Sequence, residues 1–185
     1  ATLYAATYPE RTIALVLFQP SARGGHWEGP ENADEELLEL RERWGTQEWS
    51  DELLRISAPT LAASEESREW FANWLRVGAS PSIAYALNRA FFETDLTDVM
   101  PAVRVPTLVV YRSDLVEPVA LEVADLIPSA RAVRVAGEDY FGIYLSPEIV
   151  DEVEAFVAGE QPLVVPNTVL TTVLFTDIVG STERA

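Results

Sequence analysis

The chain has 185 residues, 48% of them hydrophobic, with 30 acidic against 13 basic residues and a formal charge of −17. That balance argues against nucleic acid and anionic membrane surfaces as partners, since both are bound through clustered Lys and Arg, and it assigns the acidity to solubility. The absence of cysteine removes disulfide and thiolate chemistry and fits a cytoplasmic setting, and no apolar run approaches the roughly 18 residues of a membrane span.

The opening, ATLYAATYPERT, reads as a short Ala-rich helix and a turn at Tyr8-Pro9-Glu10. It has neither the basic leader nor the apolar stretch of a signal peptide and looks like the middle of a domain. Residues 12–18, TIALVLF, lie between Pro9 and Pro20 and predict a strand buried on both faces, as in a parallel sheet. A Gly- and Pro-rich loop follows and carries the sole histidine, His26. We expect His26 to be a surface or hinge residue rather than a base.

Residues 33–93 change to helical periodicity. In ADEELLELRERWG, Leu37, Leu40 or Arg41, and Trp44 recur at helical spacing before Gly45, where a C-cap is expected. SDELLRISAP predicts a short helix capped by Ser50. SEESREWFANWLRVG predicts a helix capped by Ser64, with Trp70, Phe71, Trp74 and Leu75 on one face. SPSIAYALNRAFF predicts another, with Ser80 as N-cap, Pro81 at its first position, and Ile83, Leu87, Ala90 and Phe91 facing one way. All five tryptophans fall in residues 27–74. They either close the core of a small helical unit or line a pocket for an apolar small-molecule ligand.

Alternation then returns. Residues 105–111 and 131–136 predict strands, and 117–127 and 146–159 predict helices, the second capped by Ser146. Strand–helix–strand–helix with short loops implies an α/β fold, a parallel sheet covered by helices. Three strands leave the first with an open apolar edge, so self-association or pairing with a further segment is expected.

This order resembles the C-terminal part of an α/β-hydrolase domain over residues 1–159, with a helical cap at about 28–95. AATYPERTIALVLFQPSAR resembles the helix after the nucleophile elbow and the next strand. DVMPAVRVPTLVVYRSDLVEPV resembles the acid-bearing strand and loop, and SARAVRVAGEDYFG the last strand and histidine loop. The resemblance implies a G-x-S-x-G nucleophile turn before Ala1, an acid at Asp114, and a histidine at the position that Tyr140 occupies. Read without the resemblance, Asp114 is a solvated turn acid or a helix cap, and Asp139 a loop residue. Tyrosine, with a pKa of about 10, is a poor base at neutral pH.

Residues 160–169, with Pro162 and Pro166, read as a linker, and 170–185 as the first strand and turn of something further. There TTVLFTDIVGSTERA closely resembles the opening of a class III adenylyl/guanylyl cyclase domain. The resemblance implies that Asp177 and the Ile178 carbonyl hold catalytic metal, Mg or Mn, in the complete cyclase domain. Hard divalent cations take such oxygens. It also implies that the chain is a piece of a longer protein converting ATP to cyclic AMP. The hydrolase-like part would then be a non-catalytic sensor or interaction domain. The alternative is an active esterase or epoxide-hydrolase-type enzyme with its nucleophile upstream.

Overall fold

The structure is a computed structural model and describes residues 1–24, 33–139 and 146–159. Helix α1 (Thr2–Thr7) runs into a 3-10 turn at Pro9–Arg11, then strand β1 (Leu15–Phe18). Five helices follow: α2 (Ala33–Arg43), α3 (Gln47–Ser57), α4 (Pro59–Ala62), α5 (Glu65–Gly78) and α6 (Pro81–Phe92). A 3-10 turn at Met100–Ala102 leads to β2 (Thr107–Tyr111), α7 (Glu117–Leu126), β3 (Ala130–Arg134) and α8 (Pro147–Gly159).

The sheet order is β1-β2-β3 and both pairings are parallel, with Leu15 opposite Thr107 and Thr107 opposite Ala130. A strand covered on both faces is mostly apolar, and β2, Thr-Leu-Val-Val-Tyr, is buried throughout, its Thr107 hydroxyl donating to the Val105 carbonyl. Its alternate side chains feed two cores. Val109 and Tyr111 pack with Ala5, Leu15, Met100, Ala120 and Val123, so α1 and α7 cover one face. Leu108 and Val110 pack with Ile149 and Phe156, so α8 covers the other. Burying each such aliphatic side chain contributes about 1.5–3 kcal/mol. Among the described residues β1 pairs with β2 alone, leaving its second edge open as the sequence anticipates.

The strands are shorter than predicted, because Thr12, Ile13 and Ala14 precede the first ladder bond, Leu15 N–H to the Pro106 carbonyl at 2.9 Å. The turn predicted at Tyr8-Pro9-Glu10 is part of the 3-10 turn.

The helices between β1 and β2 form a separate packing unit, called the cap below. Leu54, Ala58, Ala62, Phe71 and Leu75 make its core, with Trp44, Trp49, Leu53 and Leu61 against it. Ser64 and Ser80 cap α5 and α6, accepting from Ser67 N and Ile83 N. The predicted Ser50 cap is a correction: Thr46 caps α3, accepting from Trp49 N, while buried Ser50 donates to the Thr46 carbonyl at 2.6 Å. Gly45 adopts φ 74°, which ends α2 and leaves Thr46 as the first free cap. The predicted apolar face of α5 divides, with Phe71 and Leu75 buried but Trp70 and Trp74 half-exposed. The stripe Ile83, Leu87 and Phe91 faces outward, and Ala84 is the buried position of α6.

The two chain segments joining cap and sheet meet. Arg23 and Asp95 form an antiparallel bridge, Leu96 N donates to the Ala22 carbonyl at 2.8 Å, and Gly24 N to the Thr94 carbonyl at 2.9 Å. Thr97 closes the turn by bonding the Asp95 carboxylate through both its N–H and its hydroxyl.

Candidate functional site

Parallel strands bring their carboxyl ends to one edge, where open α/β sheets place their ligands. Here that edge gathers Gln19 after β1, Arg112-Ser113-Asp114 after β2, and residues 135–139 after β3. Asp114 lies on the tight turn between β2 and α7, which is closed by Val116 N and Glu117 N donating to the Ser113 carbonyl, both at 3.1 Å.

Asp114 is held by a cation. Arg134, at the end of β3, places Nη2 2.5 Å from Asp114 Oδ1 and Nη1 3.7 Å from Glu117 Oε2. Glu117 accepts a hydrogen bond from the Tyr111 hydroxyl at 2.9 Å. Register explains the cluster, since Tyr111 stands opposite Arg134 in the ladder, so the loop beyond β2 passes over that guanidinium. Tyr111 is buried, and burial, then the Glu117 hydrogen bond and charge, push its phenol above the ordinary range.

A raised phenol pKa contributes stability that is whole below the unfolded value of about 10 and is lost as pH climbs from there to the raised value. Stability should therefore fall with rising pH above about 10. Tyr111→Phe should flatten that part of the curve. Alkaline unfolding followed by circular dichroism checks this, and an unchanged profile in Tyr111→Phe contradicts it.

The loop after β3 is fastened twice. Arg112 donates from Nε and Nη2 to the Ala136 carbonyl at 3.0 and 2.7 Å. Gly137 beside it has φ 121°, a backbone conformation that other residues rarely adopt, and lies against the Arg112 guanidinium. Asp139 accepts from the backbone N–H of Thr60 at 2.9 Å, tying this loop to α4 of the cap. At the start of α8, Ser146 donates to Glu148 at 2.7 Å. That bond, ahead of a backbone hydrogen bond, holds the Glu148 carboxyl below its usual range.

Of the sequence-predicted site residues, the structure places Asp114 on the carboxyl edge. Tyr140, Asp177 and Ile178, and also His26 and Trp27, lie outside the described residues. Asp139 does more than shape a turn. Sequence reasoning missed Arg112, Arg134 and Glu117. Their one signal is charge just at or beyond the ends of β2 and β3 and at the start of α7, and only register shows that Arg134 meets Asp114 and Glu117. Among the described residues no group of three or more His, Cys, Asp or Glu could hold a metal ion, and no helix is long and apolar enough to cross a membrane.

Of the tryptophans, Trp44 and Trp49 pack against the cap's own core. Trp44 and Trp49 lie 5.5 Å apart, and the Trp44 indole N–H donates to the Leu75 and Ala79 carbonyls at 3.2 and 2.8 Å.

No protein-family model and no curated protein matches the chain. Solved structures do. The enol-lactonase from Burkholderia xenovorans LB400 is similar at 21% identity and a TM-score of 0.63, over 85% of this chain and 58% of its own. A hydrolase from Oleispira antarctica is similar at 16% identity and 0.67, over 84% and 60%. An α/β hydrolase enzyme from a Medee basin deep-sea metagenome library is similar at 15% and 0.66, over 95% and 63%. The chain thus spans about three fifths of the length of these proteins. At such identities the likeness is one of fold: the parallel sheet with its covering helices, interrupted by a helical cap, is a partial α/β-hydrolase fold.

Proposed function

We propose that this chain is the acid- and cap-bearing part of an α/β-hydrolase-type domain that hydrolyses a small apolar ester or lactone held beneath the cap. The observation that carries this is the place of Asp114, on the turn after β2 at the carboxyl edge, beside a loop tied to the cap through Asp139 and Thr60. The similar structures, an enol-lactonase and other hydrolases by their own descriptions, support the reaction class.

The nucleophile comes from a segment upstream in the complete protein. It attacks the acyl carbonyl, and its proton passes to a base that Asp114 orients. By the sequence resemblance, Tyr140 takes the place of that base. A phenol there accepts the proton only as phenolate, so hydrolysis should rise with pH toward about 10 rather than peak near 7.

The test is turnover of p-nitrophenyl butyrate by the complete protein across pH. Asp114→Asn should lower it about 100-fold or more, Tyr140→Phe should abolish the alkaline rise, and His26→Ala should leave both. Turnover indifferent to Asp114→Asn overturns the proposal.

A second reading has its own observations. Tyr140 replaces the expected base, Asp114 is engaged by Arg134, and LFTDIVGST resembles a class III cyclase strand. On it, the domain binds an apolar ligand without hydrolysing it and regulates a cyclase that uses Asp177 and Ile178 with Mg or Mn. The same protein would then show no ester turnover at pH 7, and its formation of cyclic AMP would respond to ligand.

A further inference from the structure

Helices α2, α3, α5 and α6 of the cap do not close completely on one another. Between them lies a hollow of about 330 Å³, walled chiefly by Leu40, Trp44, Trp49, Leu53, Phe71 and Trp74. No described residue of the sheet or of its loops lines it. Its volume is at the lower end of the range that small-molecule sites have, about 300–1,000 Å³.

The chemistry of the walls restricts what can enter. None of the described lining residues is ionisable, so a charged ligand would give up water without meeting an opposite charge. Aromatic rings dominate. Trp44 and Trp49 lie 5.5 Å apart, and the Phe71 and Trp74 rings stack at 5.8 Å with 19° between their planes. Trp74 is nevertheless 47% exposed, and a flat ring laid against it would take that apolar surface out of water.

The polar groups of the wall are unequally satisfied. The Trp44 N–H is spent on the Leu75 and Ala79 carbonyls, and the Ser57 hydroxyl on the Leu53 carbonyl at 2.7 Å. Asn88 is satisfied by half. Its Nδ2 donates to the Ala84 carbonyl at 2.9 Å, and among the described residues no donor meets its Oδ1. An amide oxygen has two lone pairs to offer, and in an aromatic hollow a ligand N–H or O–H is the partner that fits it.

We propose that this hollow is a binding site for a neutral, flat aromatic molecule carrying one N–H or O–H donor, of the indole type. Its ring lies against Trp74 and its donor bonds the Asn88 Oδ1. The site is inside the cap, apart from the carboxyl edge of the sheet, and does not depend on hydrolysis.

The test is calorimetry on the intact chain with indole, benzofuran and indole-3-carboxylate as probes. Indole and benzofuran share their shape and differ in the donor, so indole should bind about fivefold more tightly. Indole-3-carboxylate should bind roughly tenfold or more weakly than indole, because its charge finds no partner in the wall. Asn88→Ala should fold, alanine being the better helix former, and should make indole and benzofuran bind equally. Trp74→Leu should weaken both about fivefold and keep the preference; should it loosen the cap, Asn88→Ala decides alone. Asp114→Asn should change none of these affinities, which separates the hollow from the sheet edge. Equal binding of indole and benzofuran to the unaltered chain, a preference that survives Asn88→Ala, or loss of indole binding in Asp114→Asn overturns the proposal.

Discussion

Phe71→Ala is expected to unfold the cap ahead of the sheet, at a cost to the cap of about 3–5 kcal/mol. Phe71 is 1% exposed and belongs to the cap core with Leu54, Ala58, Ala62 and Leu75, and the Trp74 ring stacks on it at 5.8 Å. Removing the ring leaves a void among short helices that cannot close over it without losing the α3–α5 contact. The buried residues of that core appear in neither of the two sheet cores, so the damage should stay local. Hydrogen exchange should show amides of α3, α5 and α6 losing protection while those of β2 and α7 keep theirs. Equal loss in cap and sheet would show that the two fold as one cooperative unit.

Gly24→Ala is expected to cost about 3 kcal/mol, at the upper end for overpacking. A Cβ at this position would run into the Phe91 carbonyl oxygen and approach the Phe92 Cα at 2.9 Å. Both obstacles are backbone, so no side chain can swing aside. Relief requires breaking the Gly24–Thr94 bond and parting the two segments that join cap and sheet. Gly78→Ala is the matched control, because a Cβ there meets nothing within 4 Å. It should stabilise α5 by about 0.5–1 kcal/mol. Urea midpoints of the two variants should move in opposite directions, and a neutral Gly24→Ala would mean that the neck is already loose in solution.

What the sequence made legible is what local rules govern. Ser64, Ser80 and Pro81 do at their helix starts what their chemistry predicts, and the apolar run of β2 reports a strand covered on both faces. Ser50 misled because Thr46 lies one turn earlier, directly after a left-handed glycine, and that glycine's conformation is decided by how α2 ends against Arg76. The Ile83, Leu87 and Phe91 stripe misled differently. Periodicity shows that a face exists but not that it is covered, and α6 turns Ala84 inward instead. At the candidate site, Asp114 was singled out through the resemblance of the strand and loop that carry it, a local feature of the sequence. The Arg134 that grips it, and the Asp139–Thr60 bond, join residues brought together by register and by the folding of the cap over the sheet edge. No spacing in one dimension records them.

The junction of cap and sheet has a further consequence. Ala22 and Leu96 are already hydrogen-bonded neighbours, so from the sheet's side everything between them is an excursion that begins and ends at one point. The entropic cost of closing such a loop grows only slowly with its length, and that junction leaves the sheet nearly indifferent to what is inserted there. A short turn in place of the excursion should let β1 and β2 keep their pairing. The five helices, carrying their own core and returning to their point of departure, have the make-up of a transplantable part, fit for any host that offers two adjacent chain ends at the same separation.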